Sequence, residues 1–422
     1  SRGLGDVYKR QGSSQSGEET LEANDIKTLA AAQPEGRALD QVFYHDDAIY
    51  RKELDRLFMR SWLYAGHISE IPRVGDWFLY ELDRESIIII RAAEDRVNAL
   101  VNVCRHRGSR VCLDAKGSGR RLTCRYHGWT YDADGKLVAA AHMGEDFDSS
   151  DLGLKTVHSE LLAGMIFINF ADDPAPLDEA QRELGACLEP YDLANAKVAH
   201  RQSYPMNANW KLAVENYCEC YHCAPAHPEY SKGHSLARPD TRTGEINAEV
   251  MARAASCGLS DSRINFIYQD APGFGADYSY DRYAMWRGHV TGSEDGKPVA
   301  PLLGTIRDYD GGATDLQVGP VTFGLMYCDH VVIYRFTPLT IDTADCDITW
   351  LVRADAEEGR DYDRDSLTWL WDVTTDADKA IIERNQQGVR SRYYVPGPLS
   401  TWEDYTWKFL SWYLEVMKQS NE

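Results

Sequence analysis

No stretch of about 18 apolar residues occurs in the 422-residue chain, so no helix read from it crosses a bilayer. Positive charge is scarce: 45 Lys and Arg stand against 66 Asp and Glu, a net charge of -21. A protein that grips a phosphate backbone needs a basic face, so nucleic-acid binding is not expected. The acidity serves solubility and is compatible with a cationic substrate without choosing one. Cysteine is thin too, ten in the whole chain, and no secretory signal is visible. This is no disulfide scaffold; metal ligation or buried thiols are expected rather than bridges, in the cytoplasm. What is plentiful is apolar surface. Hydrophobic residues make up 43%, with 24 Tyr, 11 Trp and 11 Phe, enough for a large core spread over two or three domains.

Residues 1–38 read as a disordered tail. The first twenty are Gly/Ser/Gln-rich without an apolar period, and SRGLGDVYKRQ resembles a spurious leader. Over 48–63 the apolar positions Ile49, Leu54, Leu57, Phe58 and Trp62 have helical spacing. From about 64 to 171 short β-type runs (DWFLYEL, SIIIIRA, RVNALVNVC, MIFINF) are separated by Gly, Pro and Asp, and DADGK at 132–136 is a hairpin turn. ADDPAPLDEA (171–180) is a link. Beyond it, 209–223 reads as a helix capped by Asn209 and stopped by Pro225. VVIYRFTPLT and CDITWLVRA alternate like strands, 365–388 is helical, and the final WEDYTWKFLSWYLEVM is an amphipathic helix. The fold class is therefore α+β: a small all-β domain with its preceding helix over 39–175, then a sheet-plus-helices domain over 176–422.

Two constellations carry chemistry. The first is Cys104-x-His106, seventeen residues, then Cys124-x-x-His127. Zinc accepts two Cys and two His, but zinc fingers pair Cys with Cys and His with His. Here each loop supplies one of each, which suits a [2Fe–2S] cluster with two thiolates on one iron and two imidazoles on the other, the Rieske arrangement. Gly108, Gly128 and Trp129 flank the loops as small and aromatic supports. Cys112 lies outside the pattern and is expected to be a buried thiol.

The second lies in ENYCECYHCAPAHPEY (215–230), where Glu219-x-x-His222-x4-His227 stands out. On a helix Glu219 and His222 share a face, and a break at Pro225 lets His227 fold back beside His222. Two imidazoles and a carboxylate make the facial triad of mononuclear Fe(II) oxygenases, which leaves positions open for O2 and substrate. The distant carboxylate comes from Asp372, Asp376, Asp378 or Glu383; motif position favours Asp378, then Asp376. Cys218, Cys220 and Cys223 are expected to pack inertly.

With both motifs in hand, residues 40 to 415 resemble the oxygenase α-subunit of Rieske non-haem iron oxygenases. The resemblance implies a Rieske domain, a helix-grip catalytic domain, a homotrimer, and a flavin- or ferredoxin-type reductase fed by NAD(P)H. It also places Glu219 as a bridge between a Rieske histidine of one chain and an iron histidine of the next, with His127 and His222 as its partners, and Asn216 near the iron. Glutamate at 219, ENYCECYHCAPAHPEY and GVRSRYYVPGPLS are similar to the quaternary-ammonium branch, which includes glycine betaine monooxygenase, stachydrine demethylase and carnitine monooxygenase. That implies N-demethylation. A trimethylammonium group is best held by aromatic faces, and INFIYQDAPGFGADYSYDRYAMW offers Tyr268, Phe274, Tyr278, Tyr280, Tyr283 and Trp286. Two alternatives stay open: an aromatic-ring or O-demethylating oxygenase with the same metals, and an electron carrier. The carrier would hold two irons per chain where an oxygenase holds three.

Overall fold

Three antiparallel sheets organise the chain in the computed structural model, which describes residues 23–237, 239–268 and 277–419. Among the described residues three helices come first: α1 (Ala23–Ala32), α2 (Val42–His45) and α3 (Asp47–Glu53). Helix α1 corrects the expectation of disorder up to residue 38. Ile26, Leu29 and Ala30 recur at helical spacing and are buried in the main core, against the C-terminal helix. Residues 1–22 of that expected tail lie outside the described residues. Helix α3 starts at Asp46, whose carboxylate accepts the N–H groups of Ala48 and Ile49. It passes into a wider π turn at Leu54–Phe58 and ends. The helix expected to run to residue 63 stops there, because Leu63 opens a strand whose five residues are all buried.

The strands follow in chain order. They are β1 (Leu63–His67), β2 (Asp76–Leu82), β3 (Glu85–Ala93), β4 (Arg96–Val101), β5 (Lys116–Ser118), β6 (Arg121–Thr123), β7 (Thr130–Asp132), β8 (Leu137–Ala139), β9 (Thr156–Leu162) and β10 (Met165–Asn169). One sheet has the order β1-β10-β9-β4-β3-β2-β5, and β6-β7-β8 form a small one beside it. The run Ile87–Ile90 in β3 is apolar without alternation because both faces are covered. Ile87 and Ile89 join the main core, while Ile88 and Ile90 pack in a satellite core with Cys104, Cys124 and Trp129.

After α4 (Asp178–Leu188) comes the second large sheet, β11 (Ala196–Met206) to β17. Between its strands lie α5 (Trp210–Tyr217), α6 (Cys223–Ala226), α7 (Pro228–Gly233) and α8 (Thr243–Cys257). The remaining strands are β12 (Ile264–Asn265), β13 (Tyr278–Ala284), β14 (Gly312–Val318), β15 (Thr322–Met326), β16 (Val331–Thr340) and β17 (Thr343–Arg353), in the order β11-β17-β16-β15-β14-β13-β12. Helices α9 (Arg364–Val389) and α10 (Asp404–Lys418) end the chain. One face of this sheet carries Tyr283, Phe323, Tyr334 and Ile348 toward α5, α9 and α10; the other carries Tyr280, Leu316 and Ile333 toward α4. A sheet clamped by helices on both faces is the α+β architecture expected. Among the described residues no helix is long and apolar enough to cross a membrane.

Helix α5 is capped at Asn209, whose side chain accepts the Lys211 N–H, as its sequence indicates. It ends at Tyr217 rather than at residue 223, and Pro225 lies inside the single turn α6. The cause is Glu219. Its carboxylate takes the backbone N–H groups of Tyr221 and His222, offering the chain a turn in place of the next helical bonds.

Candidate metal centres

The two Rieske loops are backbone copies of each other. The Cys104 N–H donates to the Ser109 carbonyl and Gly108 donates back to Cys104; the Cys124 N–H donates to Trp129 and Gly128 donates back to Cys124. Each loop turns through a left-handed glycine, Gly108 at φ 76° and Gly128 at φ 75°. The copies place Cys104 and Cys124 inside and His106 and His127 at the surface. The two Nδ1 atoms lie 3.1 Å apart. Tyr131 sends its hydroxyl to within 3.3 Å of the Cys104 sulfur, and Trp129 stacks on His106 with ring centres 4.9 Å apart. Two buried sulfurs with two converging imidazole nitrogens fit a cluster with one thiolate iron and one imidazole iron. Cys112 is buried, and burial pushes its thiol up to about 12, as befits an inert side chain.

The second site closes around one point. His222 Nε2 lies 3.2 Å from Asp378 Oδ1, and His227 Nε2 lies 3.1 Å from the same oxygen. The imidazole rings are 5.1 Å apart and nearly perpendicular. Although they crowd together, His227 Nε2 and Asp378 Oδ1 are both buried and neither makes a hydrogen bond. Polar atoms that converge without bonding each other are aimed at a common third atom, and this donor set suits Fe(II). The Cys223 sulfur also lies within 4.8 Å of the imidazoles, but it is joined to Cys220 in a disulfide, so the carboxylate is the better third donor. That disulfide corrects the expectation of inert thiols at 220 and 223. Spacing by two residues across a tight turn brings the Cα atoms to 4.9 Å, within bridging range. Cys218 remains a free thiol.

The other carboxylates on α9 are engaged or turned away. Asp372 accepts from Tyr204 and Thr368, Glu383 accepts from Asn207, and Asp376 is exposed. Glu219 lies 2.5 Å from His222 Nδ1, and the Asn216 amide lies 3.4 Å from His222 Nε2. Burial disfavours a charge on His222, but Asp378 and Glu219 outweigh it and raise the imidazole to about 9 before any metal competes for the nitrogen. Burial likewise opposes ionisation of Asp378, and the two imidazoles reverse that and hold it low.

Of the six aromatic candidates, the structure brings one to this site. Tyr283 faces the iron side, its hydroxyl 3.3 Å from that of Tyr230. Tyr278 and Tyr280 lie on the opposite face of β13, against α4, because side chains alternate along a strand. Tyr268 is tied down elsewhere: it donates to the Pro320 carbonyl, accepts from Gln317, and packs on Phe409 and Trp412. Trp286 lies past the end of β13 under Arg242, in a separate cleft with Ile246. Phe274 lies outside the described residues. Other rings beside the metal donors are ones the sequence does not single out. Tyr230 sits 5.7 Å from the His227 ring, stacks on His234 at 3.8 Å and meets Trp371 at 6.2 Å. Tyr327 completes the group, 5.9 Å from Trp371. Tyr230 stands three residues after His227, a spacing that could have flagged it.

Comparison with known proteins matches a family to each of the two stretches that carry these residues. The Rieske [2Fe-2S] domain family matches residues 61–157, and the ring hydroxylating alpha subunit (catalytic domain) family matches residues 193–419. The glycine betaine monooxygenase oxygenase subunit of Pseudomonas aeruginosa is 37% identical over 383 residues, 90% of this chain and 89% of that protein. The carnitine monooxygenase oxygenase subunit of Escherichia coli is 29% identical over 365 residues, 83% of this chain and 84% of that one. In fold the chain is similar to the quaternary ammonium Rieske monooxygenase CntA, with a TM-score of 0.70 at 22% identity over 95% of this chain and 99% of that chain. The chain belongs to the Rieske non-haem iron oxygenases, as an oxygenase α-subunit.

Proposed function

We propose that this protein is the terminal oxygenase of a multicomponent system that hydroxylates an N-methyl group of a quaternary ammonium compound, glycine betaine or a stachydrine-like betaine. The observation that carries the proposal is the 37% identity to a glycine betaine monooxygenase subunit along 90% of the chain. One oxygen atom of O2 enters the methyl C–H bond and the other leaves as water, using two electrons and two protons. The resulting carbinol then breaks its C–N bond. The amine keeps the electron pair, the hydroxyl loses its proton, and formaldehyde departs. The electrons come from NAD(P)H through a flavin- or ferredoxin-type reductase. Residues 39–175 receive them and residues 176–422 perform the oxidation, in the cytoplasm.

Cys104, His106, Cys124 and His127 would hold the [2Fe–2S] cluster, and His222, His227 and Asp378 a single Fe(II). When bound, that iron supplies O2 activation. The chain itself fixes the geometry. Glu219 on Nδ1 sets the orientation of the His222 ring, and Asn216 borders the open side. The buried rings of Tyr327 and Trp371 and the half-buried ring of Tyr230 keep water from the reacting carbon. His106 and His127 are exposed, and among the described residues no hydrogen bond or ring contact ties them to the second large sheet. This supports delivery of electrons to a neighbouring copy in a homotrimer, through Glu219 of that copy.

The test is turnover with reductase, NADH and O2 on glycine betaine, stachydrine, carnitine, choline and vanillate. Formaldehyde from a betaine is the expected result. Formaldehyde from vanillate alone would make this an O-demethylase instead.

A further inference from the structure

The iron-facing side of the second large sheet presents a carboxylate that the metal chemistry does not use. Asp315 sits mid-way along β14, opposite Asp281 of β13 and Leu325 of β15. Its neighbours two residues away, Ala313 and Gln317, lie on the face that carries Tyr283, Leu325 and Tyr334, so Asp315 points the same way. Asp281 has a counter-charge, Arg263 at 3.0 Å. The Asp315 carboxylate has no hydrogen bond and no ion pair among the described residues. It is half-buried, and burial first and Asp281 second push its carboxyl up to about 7.

The surroundings are aromatic. Burial first, and then the charge of Asp315 among other neighbours, raises the hydroxyls of Tyr217, Tyr230, Tyr283 and Tyr327. Tyr230 feels the charge of Asp378 as well as that of Asp315. Its hydroxyl meets Tyr283, and its ring is 5.7 Å from that of His227. A carboxylate held inside a protein without a partner is unfavourable. A quaternary ammonium has no N–H to donate; ring faces and an opposite charge are what can hold it.

We propose that Asp315 is the counter-charge for the substrate's ammonium group, with Tyr230, Tyr283 and Tyr327 as the ring faces around it, so that one N-methyl carbon is presented toward His222, His227 and Asp378. This rests on the quaternary-ammonium reading of the site and adds the residue that selects the cation. It also distinguishes charge recognition from simple fit. 3,3-Dimethylbutyrate, the uncharged carbon isostere of glycine betaine, fills the same shape without the positive charge.

The experiment is calorimetric binding of glycine betaine and of 3,3-dimethylbutyrate to the iron-loaded full chain, wild type and Asp315→Asn, with formaldehyde release alongside. Asn keeps the shape and an amide donor but loses the charge. Glycine betaine is expected to bind at least tenfold more weakly to Asp315→Asn, with KM rising in step, while the isostere binds as before. Asp315→Glu should recover part of the loss. Removing an unpaired interior carboxylate should leave Tm unchanged or higher, an outcome a purely structural role would not give. Asp315→Ser serves as a second neutral variant should the Asn protein fail to accumulate. Betaine binding within twofold of wild type, or equal weakening of both ligands, would overturn the assignment of Asp315 alone. A wild-type protein that neither binds nor demethylates any betaine, yet turns over vanillate, would overturn the substrate class and this assignment with it.

Discussion

His222 meets two carboxylates at once, Glu219 at Nδ1 and Asp378 at Nε2. Burial opposes its charge, the carboxylates prevail, and the imidazole titrates at about 9 against about 6.5 in an unfolded chain. The protonated ring therefore contributes stability that is full below the unfolded value and lost as pH rises through 9. A metal ion must displace that proton. Affinity for Fe(II) is thus expected to rise roughly tenfold per pH unit between pH 6.5 and 9, measured as iron retained against a chelator. A flat profile would remove His222 from the ligand set. At this scale the sequence was informative where spacing is chemistry: the four Rieske donors, His222 and His227 follow from their intervals. Motif position singles out Asp378 among four carboxylates, and Asp372 and Glu383 are engaged elsewhere. Tyr268, Tyr278, Tyr280 and Trp286 lie away from the metal donors while Tyr283 does not, because density of rings says nothing of direction. Alternation along β13 separates Tyr278 and Tyr280 from Tyr283, and that register was not legible until β13 had a partner strand.

Helix α5 is the element that carries Asn216 to the site, and a fully buried ion pair anchors it. Lys211 Nζ lies 2.7 Å from Glu53 Oε1, while Trp210 and Tyr413 also donate to Glu53. Three rings, Tyr44, Trp210 and Tyr413, surround the ammonium at 5.2–5.6 Å. Burial lowers the Lys211 pKa and Glu53 opposes that fall. Breaking the pair leaves a buried charge alone. Lys211→Met is expected to cost about 3–5 kcal/mol in denaturant unfolding, and adding Glu53→Leu should return much of it. A loss under 1 kcal/mol in the single variant would show the site is wetter than its burial implies. The cap of this helix was legible in Asn209, a side chain acting on its own backbone. Its end was not, because a competing side-chain acceptor at Glu219 overrode a propensity that would have carried the helix onward. The stripe in α1 was hidden for a different reason: three apolar positions gain meaning only when α10 supplies the surface they cover.

In the molecule as a whole, the exposed Rieske histidines lie in loops of the first domain, while His222 and His227 flank α6 and Asp378 lies on α9. If electrons pass between copies, a chain lacking its cluster (Cys104→Ser) and a chain lacking its iron (Asp378→Asn) should each be inactive alone. Co-assembled, they should regain about a quarter of wild-type turnover, since half the chains keep iron and half of those face a neighbour with a cluster. Assembly is verified by mass, and no recovery in a verified mixed oligomer would place transfer within one chain. The two-domain order was legible because strand runs and helical runs occupy separate stretches. How the domains serve each other was not, since no local pattern encodes a contact made by another copy.

The exposure of His106 and His127 has a consequence for regulation. On the inter-copy route, a solitary chain is a charged terminal without a circuit: it accepts electrons and has nowhere to send them. Output then depends on how crowded the copies are, and dilution alone silences an enzyme whose every chain is chemically complete.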